Sequence, residues 1–305
     1  MVYLHTMSHL FDQICSFLRE AGFGCSQSTR NGLNLISAYI PASGKERLIV
    51  PLQISATDLD EARKHAAKVQ DCLRQMTAGN EGYPLIITED RWNDQREMMK
   101  TRILSHLEIF SPIYARNCEV RKIDKAAAKE FLEKSHSYGH ASCRYCYGLF
   151  FKRHTGHIAK EGSLSDIAVG DLMAVATFSN ARKWVKGDRI IRSYEWTRYA
   201  SLPHVRLSGG MGRLLKAFIK EAKPDDIMSY ADLEWSEGDV YSQLGFKLEG
   251  QKDPVIFEID SHWKRTPIRP DAEDTATAPK PEPNAPLYFQ NFGSNKYRMK
   301  LTDYE

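Results

Sequence analysis

The sequence contains no apolar run that approaches the roughly 20 residues needed to span a bilayer. Its hydrophobic content of 42% and charged content of 27% are ordinary for a globular protein in water. The amino terminus also lacks the basic segment, apolar stretch and small-residue cleavage site of a secretory signal. We therefore expect no contact with a membrane and a location in the cytoplasm, which is the host cytoplasm if a phage encodes the protein.

Cysteine is scarce, and positive and negative charges nearly balance. Six cysteines in 305 residues are too few and too scattered for a disulfide scaffold, so we expect reduced thiols. A formal net charge of +3 is too small to identify a nucleic-acid-binding protein, because such binding requires a concentrated basic surface. The charge balance permits DNA as a partner without demonstrating it.

The chain is longer than one hydrophobic core usually fills, so a domain boundary is expected. Apolar periodicity and turn residues predict a small α/β domain over residues 1–116. Its predicted helices are 8–21, 58–77 and 93–107, and its predicted strands are 34–41, 47–54 and 83–88. The boundary falls near residue 117, because a strand and a helix with Asp124 as its N-cap begin a new unit there.

Residues 117–265 predict a second α/β domain, with a mixed sheet flanked by helices. Its predicted strands are 119–123, 147–152, 172–179, 190–201 and 226–230, and its predicted helices are 125–135, 213–222 and 238–244. Residues 266–286 are proline-rich and have no hydrophobic pattern, which predicts a disordered linker. The terminal segment 287–305 regains aromatic and basic residues, so it is either a docked strand or a basic arm, and we favour docking.

A glycine-rich turn stands directly before the predicted helix 213–222. The stretch SGGMGR places Gly209, Gly210, Met211, Gly212 and Arg213 where a helix exposes its first backbone N–H groups. These groups and the helix dipole favour an anion, and glycine lets a pyrophosphate approach without striking a Cβ atom. The five residues are candidate phosphate ligands. The alternative is a tight turn in which glycine only supplies a positive φ.

A short segment contains four potential metal ligands: His136, His140, Cys143 and Cys146. Two imidazoles and two thiolates suit a tetrahedral zinc site or part of an iron site. The spacing is compressed and a lone C-x-x-C motif is weak evidence, so structural or substrate-contacting roles compete with this interpretation. Tyrosines in the same segment, including Tyr138, offer surfaces for stacking on a base or for ordinary packing.

The second domain resembles the GNAT acyltransferases. Arg206-Leu-Ser-Gly209 is similar to the first part of the motif with which that superfamily binds the pyrophosphate of acetyl-coenzyme A, and Tyr241 with Gly245-Phe246 is similar to a later motif. The resemblance implies that acetyl-coenzyme A is the donor and that Tyr241 protonates the leaving thiolate. It also implies that Glu195, on the strand before the turn, is a general base. The alternative for Glu195 is an outward-facing or paired carboxylate.

Four segments further resemble phage Mom-type DNA-modification proteins and a domain attached to phage homing endonucleases: EFLEKSHSYGH, YEWTRYAS, SGGMGRLLKAFI and SYADLEWSEGDVYSQLGF. Mom-type proteins are GNAT-like and convert adenine in DNA to a carbamoylmethyl derivative. The resemblance implies a nucleobase acceptor, and it places His136, Tyr138 and Asp232 among the catalytic residues.

The first domain resembles the very-short-patch-repair-type endonuclease fold, through LISAYIP, YPLIITEDRW and REMMKTRI. That fold holds a magnesium ion with carboxylates on two strands. Here Ser37 stands at the first position, and the following strand, RLIVPLQI, carries none. The resemblance implies a degenerate nuclease that retains a DNA-binding surface. We expect the remaining pair, Glu89 and Asp90, to cap the next helix or to pair with Arg91 and Arg96.

Three functions remain open at this stage. The favoured one is a DNA-modifying GNAT-like transferase that acts on a nucleobase, preferably adenine, with an acyl-coenzyme A donor and zinc or iron as the candidate metal. The second is a non-catalytic DNA-binding or antirestriction accessory protein. The third is a conventional N-acetyltransferase for a small molecule or a protein, which would not bind DNA with the salt dependence of phosphate contacts.

Overall fold

The computed structural model describes residues 3–30, 32–40, 43–78, 83–153, 167–236, 238–268 and 285–304. The chain forms two compact units. The first comprises Met1–Glu108, Asp232–Glu237 and Gln251–Ser294, and the second comprises Ile109–Ala231, Gly238–Gly250 and Asn295–Glu305. Among the described helices, none is long and apolar enough to cross a membrane. Residues 269–284 of the predicted linker lie outside the described part of the chain.

The helices are α1 (Tyr3–Glu20), α2 (Leu59–Ala78), α3 (Glu89–Asp94), α4 (Arg96–His106), α5 (Lys125–Ser135), α6 (Gly210–Ala222) and α7 (Asp239–Gln243), with a 3-10 turn at Ala115–Asn117. The strands are β1 (Gly24–Arg30), β2 (Leu33–Tyr39), β3 (Glu46–Leu52), β4 (Leu85–Thr88), β5 (Ser111–Tyr114), β6 (Cys118–Lys122), β7 (Tyr145–Phe151), β8 (Leu172–Phe178), β9 (Arg182–Lys186), β10 (Arg189–Ser201), β11 (Val205–Ser208), β12 (Asp226–Asp232), β13 (Lys247–Lys252), β14 (Ile256–Ile259), β15 (Arg265–Pro267), β16 (Leu287–Gln290) and β17 (Ser294–Lys300).

The first unit is built on a four-stranded sheet with the order β1-β2-β3-β4. The first three strands are antiparallel, and β4 is parallel to β3. Alternate residues of β2 to β4 are buried on opposite faces, so these strands read as nearly continuous apolar runs. One face, with Ile36 and Ile49, packs on α1, α3 and α4. The other, with Leu35 and Val50, packs on α2.

A three-stranded sheet of order β15-β14-β16 belongs to the same unit. Both of its ladders are antiparallel. Its last strand begins the carboxy-terminal segment 287–305, whose second strand, β17, lies between β13 and β12 in the large sheet. The carboxy-terminal segment is therefore incorporated into sheets, which of the two sequence-based alternatives corresponds to docking rather than to a basic arm.

A network of buried charges holds the first unit together. Arg265 makes a two-pronged contact with Asp90 and donates from Nη1 to Glu234 Oε2 at 2.8 Å. Arg91 Nε donates to Glu234 Oε1 at 2.9 Å. The four side chains have relative exposures of 9% or less. Asp90 thus pairs with Arg265 rather than with Arg91 or Arg96, because β15 brings a guanidinium that sequence proximity could not indicate.

The pKa of Glu234 in this network is shifted in the direction that stabilises the folded state. Burial alone would raise the pKa of Glu234, but the guanidinium groups of Arg265 and Arg91 outweigh burial and hold the pKa well below its ordinary value. Burial raises the pKa of the neighbouring Glu89, which accepts a hydrogen bond from the Ile54 N–H at 2.9 Å. Because the folded pKa of Glu234 is depressed, its stabilising contribution is present above about pH 4.3 and is lost as the pH falls.

We predict that Glu234→Gln lowers the free energy of unfolding of the first unit by about 3–5 kcal/mol, because it leaves two buried guanidinium groups without their full counter-charge. Chemical denaturation measures this change. The exposed carboxylate Glu97 provides the control, since Glu97→Gln breaks only a surface pair with Lys100. Equal stability of the two variants at neutral pH would contradict the prediction.

The second unit is built on an eight-stranded mixed sheet. The main order is β13-β17-β12-β10-β8-β7-β6, and β9 pairs with β10 outside this path. The ladder between β10 and β12 is parallel, and those from β10 to β6 are antiparallel. Helix α6 packs on one face with Phe178 and Trp196. Helix α5 packs on the other with Val175 and Ala200. The predicted fold class, an α/β mixed sheet flanked by helices, is confirmed.

Two local features of the helices were tested by the structure. The predicted cap of α5 is confirmed, since Asp124 Oδ1 accepts a hydrogen bond from the Ala127 N–H at 2.7 Å. The predicted helix 93–107 is confirmed over most of its length as α4, but its start is wrong, because α3 is a separate helix that ends at Asp94 and Gln95, with a φ of −129° and a ψ of 41°, is not helical.

Candidate functional site

The ladder between β10 and β12 is short. It contains three residue pairs, Ser193–Glu195 with Asp226–Met228. Directly beyond it, between Trp196 and Arg198, β10 carries a bulge in its pairing with β8. Two parallel neighbours in the middle of a large sheet therefore stop pairing at one point. We call this point, beyond Glu195 and Met228, the fork. The backbone groups that follow it need other hydrogen-bond partners.

At the fork, the Ser229 side chain replaces the backbone hydrogen-bond partner that the next pair of the ladder would have supplied. Its hydroxyl donates to the Trp196 carbonyl oxygen at 3.0 Å and lies 2.9 Å from the Tyr241 hydroxyl. Ser229 Oγ is the donor towards the Tyr241 hydroxyl oxygen, so the Tyr241 hydroxyl keeps its own proton for another acceptor. Ser229 therefore joins the end of the ladder to Tyr241 and fixes the direction of the phenol.

Tyr241 is packed among aromatic rings. It stacks on Tyr297 with ring centroids 5.2 Å apart, and its edge meets Phe246 at 5.5 Å and Trp196 at 6.3 Å. Burial raises the pKa of Tyr241 above its ordinary value. The phenol is therefore protonated at neutral pH, which is the state that a proton donor requires.

Glu195 lies at the last pair of the ladder and projects to the face of the sheet opposite Trp196, because neighbouring strand residues alternate. Its backbone exchanges hydrogen bonds with Ser179. Its half-buried carboxylate accepts no hydrogen bond from any residue in the described ranges. Glu195 is thus a carboxylate at the fork with free acceptor capacity, as a general base needs to be.

Arg198 faces the same side as Glu195, although the two residues are three positions apart. In a regular strand an odd spacing places two side chains on opposite faces, but the bulge shifts the alternation by one. Arg198 Nε donates to the Gly139 carbonyl at 3.1 Å, which attaches the loop 136–140 to β10. Burial lowers the pKa of Arg198, and the Glu195 carboxylate opposes that shift.

The glycine turn adjoins the open part of β10. Gly209 has a φ of 79° and precedes α6 as its N-cap. A Cβ atom on Gly210 would lie 2.8 Å from Leu207 Cδ2 and 3.1 Å from the hydroxyl of Tyr199, a residue of β10 beyond the bulge. A Cβ atom on Gly212 would lie 3.3 Å from Leu244. Turn geometry and packing therefore explain these glycines without a ligand.

The first turn of α6 nevertheless has open donors. Within the described residues, no group accepts a hydrogen bond from the backbone N–H groups of Gly210, Met211 and Gly212. A helix of 13 residues adds the positive end of its dipole at this point. The amides and the dipole suit an anion such as a phosphate group.

The two predicted phosphate-binding arginines are engaged elsewhere. Arg213 Nη1 donates to the Ala115 carbonyl at 2.6 Å, and this bond ties α6 to the 3-10 turn. The Arg206 guanidinium lies 5.0 Å from the centre of the Phe110 ring. Each of these side chains thus makes a contact within the second unit, and the backbone amides at the start of α6 are open donors beside them.

The four predicted metal ligands do not converge. Within the described part of the chain, no group of three or more His, Cys, Asp and Glu side chains could hold a metal ion. Cys143 and Cys146 are 3.4 Å apart at sulfur, but His140 turns to Glu133 at 2.7 Å and His136 Nδ1 accepts from the Tyr138 N–H at 3.1 Å. Burial raises the pKa of the Cys146 thiol to about 12, which opposes the thiolate that a metal needs. The residues do not fit zinc or iron.

Three further predicted catalytic residues have local roles. Asp232 belongs to the first unit and accepts the Glu234 N–H at 2.9 Å, so it shapes the turn after β12. His136 and Tyr138 lie in the loop that Arg198 attaches to β10, and Tyr138 is 37% exposed. Ser229 and Arg198 are missing from the sequence-based site. The bulge and the interrupted ladder that give them their roles leave no pattern in the sequence.

Comparisons with known proteins find partial similarity to several solved structures. A protein of unknown function from Enterococcus faecalis V583, described as a probable N-acyltransferase, is 14% identical, with 47% of this chain and 35% of that chain covered and a TM-score of 0.31. Eis1 from Mycobacterium abscessus is 15% identical, with 50% and 36% covered and a TM-score of 0.32. NAA60 from Arabidopsis thaliana, in complex with a bisubstrate analogue, is 10% identical, with 61% and 99% covered and a TM-score of 0.34.

This chain spans about a third of the length of the first two of these proteins. No protein-family model matches the sequence, and no curated protein matches it. Likeness at these TM-scores identifies neither a family nor an activity, so any functional proposal must depend on the chain's own residues.

We predict that Gly210→Ala lowers the free energy of unfolding of the second unit by about 1–3 kcal/mol, because the new methyl group overlaps the buried Leu207 side chain. Thermal and chemical denaturation measure the change. Gly250→Ala is the matched control, since a Cβ atom at Gly250 meets nothing within 4 Å. If both variants matched the unsubstituted protein, the close packing at the start of α6 would be disproved.

Proposed function

We propose that the second unit is an acyltransferase of the GNAT type, which moves an acyl group from coenzyme A to an amine nitrogen. The observation that carries this proposal is the fork between β10 and β12. At the fork, an oriented phenol, Tyr241, lies on one side of the sheet and a carboxylate with free acceptor capacity, Glu195, projects on the other. A donor and an acceptor that approach from opposite faces would each find the group that their chemistry requires.

The donor's pyrophosphate would bind the open amides of Gly210, Met211 and Gly212. Tyr199 lies both on the open part of β10 and against Gly210, so the helix start and the fork are neighbours. The extended arm of coenzyme A would then run along the edge of β10 beyond Trp196, which pairs with no strand on the β12 side in the described part of the chain. Residues at both ends of the donor thus fit acyl-coenzyme A.

The proposed reaction forms a C–N bond and breaks a C–S bond. The amine nitrogen attacks the thioester carbonyl carbon, and Glu195 accepts the proton that the nitrogen loses. The C–S bond breaks, and the Tyr241 hydroxyl gives its proton to the departing sulfur. The proton held by Glu195 returns through solvent to the phenolate, so both groups are restored. Ser229, which bonds Tyr241, positions the phenol and stabilises its deprotonated form by donating to it.

The acceptor that we propose is an adenine amine in DNA. This choice rests on the sequence resemblance of the second unit to Mom-type proteins. The description of the first unit as a degenerate endonuclease rests on sequence resemblance in the same way. Ser37, which stands where that fold carries a metal-binding carboxylate, is buried within β2 and offers only a hydroxyl.

We predict that Tyr241→Phe lowers kcat for acyl transfer by about 100-fold or more, with little change in KM for acetyl-coenzyme A, because it removes only the proton donor. Thiol release from acetyl-coenzyme A in the presence of adenine-containing DNA measures the rate. Tyr39→Phe is the control, because it removes an exposed phenol of the first unit. An unchanged kcat in Tyr241→Phe would remove Tyr241 from the mechanism.

For the acceptor, we predict a new adenine mass among the nucleosides of DNA that is co-expressed with the wild-type protein, and its loss with Tyr241→Phe. Mass spectrometry of digested DNA makes the test without assuming the acyl group. Unmodified DNA in both cultures, together with thiol release on amines of small molecules or proteins, would replace the nucleobase with a conventional acceptor. Unmodified DNA without any thiol release would favour the accessory protein.

A further inference from the structure

Charge is distributed unevenly between the two units. The second unit has 25 of the 42 lysines and arginines and 16 of the 39 aspartates and glutamates, and the first has the other 17 and 23. The small net charge of the chain therefore conceals a basic unit and an acidic unit. A strongly basic surface attracts polyanions, and the charges place that attraction on the second unit rather than on the first, where the endonuclease resemblance had placed it.

Part of this charge is concentrated on a two-stranded ribbon, β9 with the first residues of β10. Among the strands that the structure describes, β9 pairs with β10 alone and lies outside the main order of the sheet. All five of its residues are exposed. Trp184, Val185 and Ile190 are exposed by 38%, 73% and 64%. The ribbon therefore presents cations and apolar side chains to solvent together.

The register of the ribbon places like charges opposite each other. Lys186 faces Arg189 and Lys183 faces Arg192. Opposed like charges destabilise an antiparallel pair. The segment 182–192 contains one carboxylate, Asp188 in the connecting turn.

In the part of the chain that the structure describes, the second unit neutralises only some of the positive charge of the ribbon. Arg192 lies 3.5 Å from the Asp225 carboxylate, and Arg189 donates to the Asp303 carbonyl at 2.6 Å. The side chains of Arg182, Lys183 and Lys186 form no ion pair or hydrogen bond with any residue that the structure describes. An anionic partner would relieve the repulsion that the fold leaves.

We infer that the β9–β10 ribbon binds double-stranded DNA. Residues opposite each other in an antiparallel ribbon share a face, so Arg182 and Lys186 lie on one face and Lys183 lies on the other. Cations on both faces can contact phosphates on both walls of a groove. The major groove of a duplex is wide enough to admit a two-stranded ribbon, whereas a flexible single strand offers no pair of walls.

The inference deepens the proposed function and rests on it for the nucleobase acceptor, but DNA binding requires neither acyl-coenzyme A nor catalysis. The two can therefore fail separately. Binding of duplex DNA without thiol release would contradict the proposed activity and support DNA binding by the ribbon. Thiol release without binding of duplex DNA would support the activity and contradict DNA binding by the ribbon.

The test is fluorescence anisotropy with a labelled duplex of mixed sequence at several salt concentrations. In the full chain, the triple variant Arg182→Gln, Lys183→Gln and Lys186→Gln should weaken binding at least about tenfold. It should also reduce the magnitude of the slope of log affinity against log salt by about two to three, since each phosphate contact contributes about 0.9. The control removes three exposed cations of α2 instead, through Lys64→Gln, Lys68→Gln and Arg74→Gln, and should leave the slope unchanged.

A charge-conserving triple, Arg182→Lys, Lys183→Arg and Lys186→Arg, should keep wild-type slope and affinity, which separates loss of charge from loss of folding. Three results would overturn the inference. One is a wild-type protein that does not bind the duplex. Another is an equal slope in the two glutamine triples. The third is tighter binding of the unpaired single strand than of the duplex, which would assign the ribbon to a different nucleic acid.

Discussion

The interruption of the β10–β12 ladder is the constraint on which the candidate site depends. Two parallel strands at the centre of a sheet normally satisfy each other's backbone groups along their whole length. Here pairing ends after Glu195 and Met228, and the bulge in β10 reverses the alternation of the residues that follow. One backbone irregularity therefore interrupts the pairing of β10 with β12 and brings Arg198 to the side of Glu195. The Ser229 hydroxyl donates to the Trp196 carbonyl, the first carbonyl beyond the last pair of the ladder, and it also bonds the Tyr241 hydroxyl.

The first unit shows the opposite use of polar groups, because its central charges are closed to solvent. Arg265 lies between the carboxylates of Asp90 and Glu234 and also contacts the Phe289 ring at 4.5 Å. Such a buried network stabilises only when every member is present, since a single missing partner leaves an uncompensated charge. It ties β15 and the turn after β12 to α3 within one compact unit. A guanidinium of the chain itself thus occupies the space between two carboxylates, so these carboxylates offer no vacant ligand position to a cation.

The sequence predicted the mixed sheet, the glycine turn and the cap of α5, because these features depend on local alternation, helix periodicity and short-range capping. It did not predict β1, whose residues GCSQSTR have no apolar alternation, or the exposed β9, whose place depends on pairing with β10. The predicted metal site was wrong because residues that are close in sequence direct their side chains to different partners, as His140 does to Glu133. The roles of Ser229 and Arg198 arise from a long-range ladder and a bulge, which neither composition nor spacing encodes.

The proposed activity requires that the open amides at the start of α6 hold the phosphates of an acyl-coenzyme A donor. The most direct measurement is the backbone amide NMR spectrum of the full chain, recorded as acetyl-coenzyme A is added. If the donor binds there, the chemical shifts of the Gly210, Met211 and Gly212 amides change saturably, because phosphate oxygens accept their hydrogen bonds. The Gly250 resonance stays in place. Saturating donor without any shift at these three amides would contradict the account, whether or not other resonances moved.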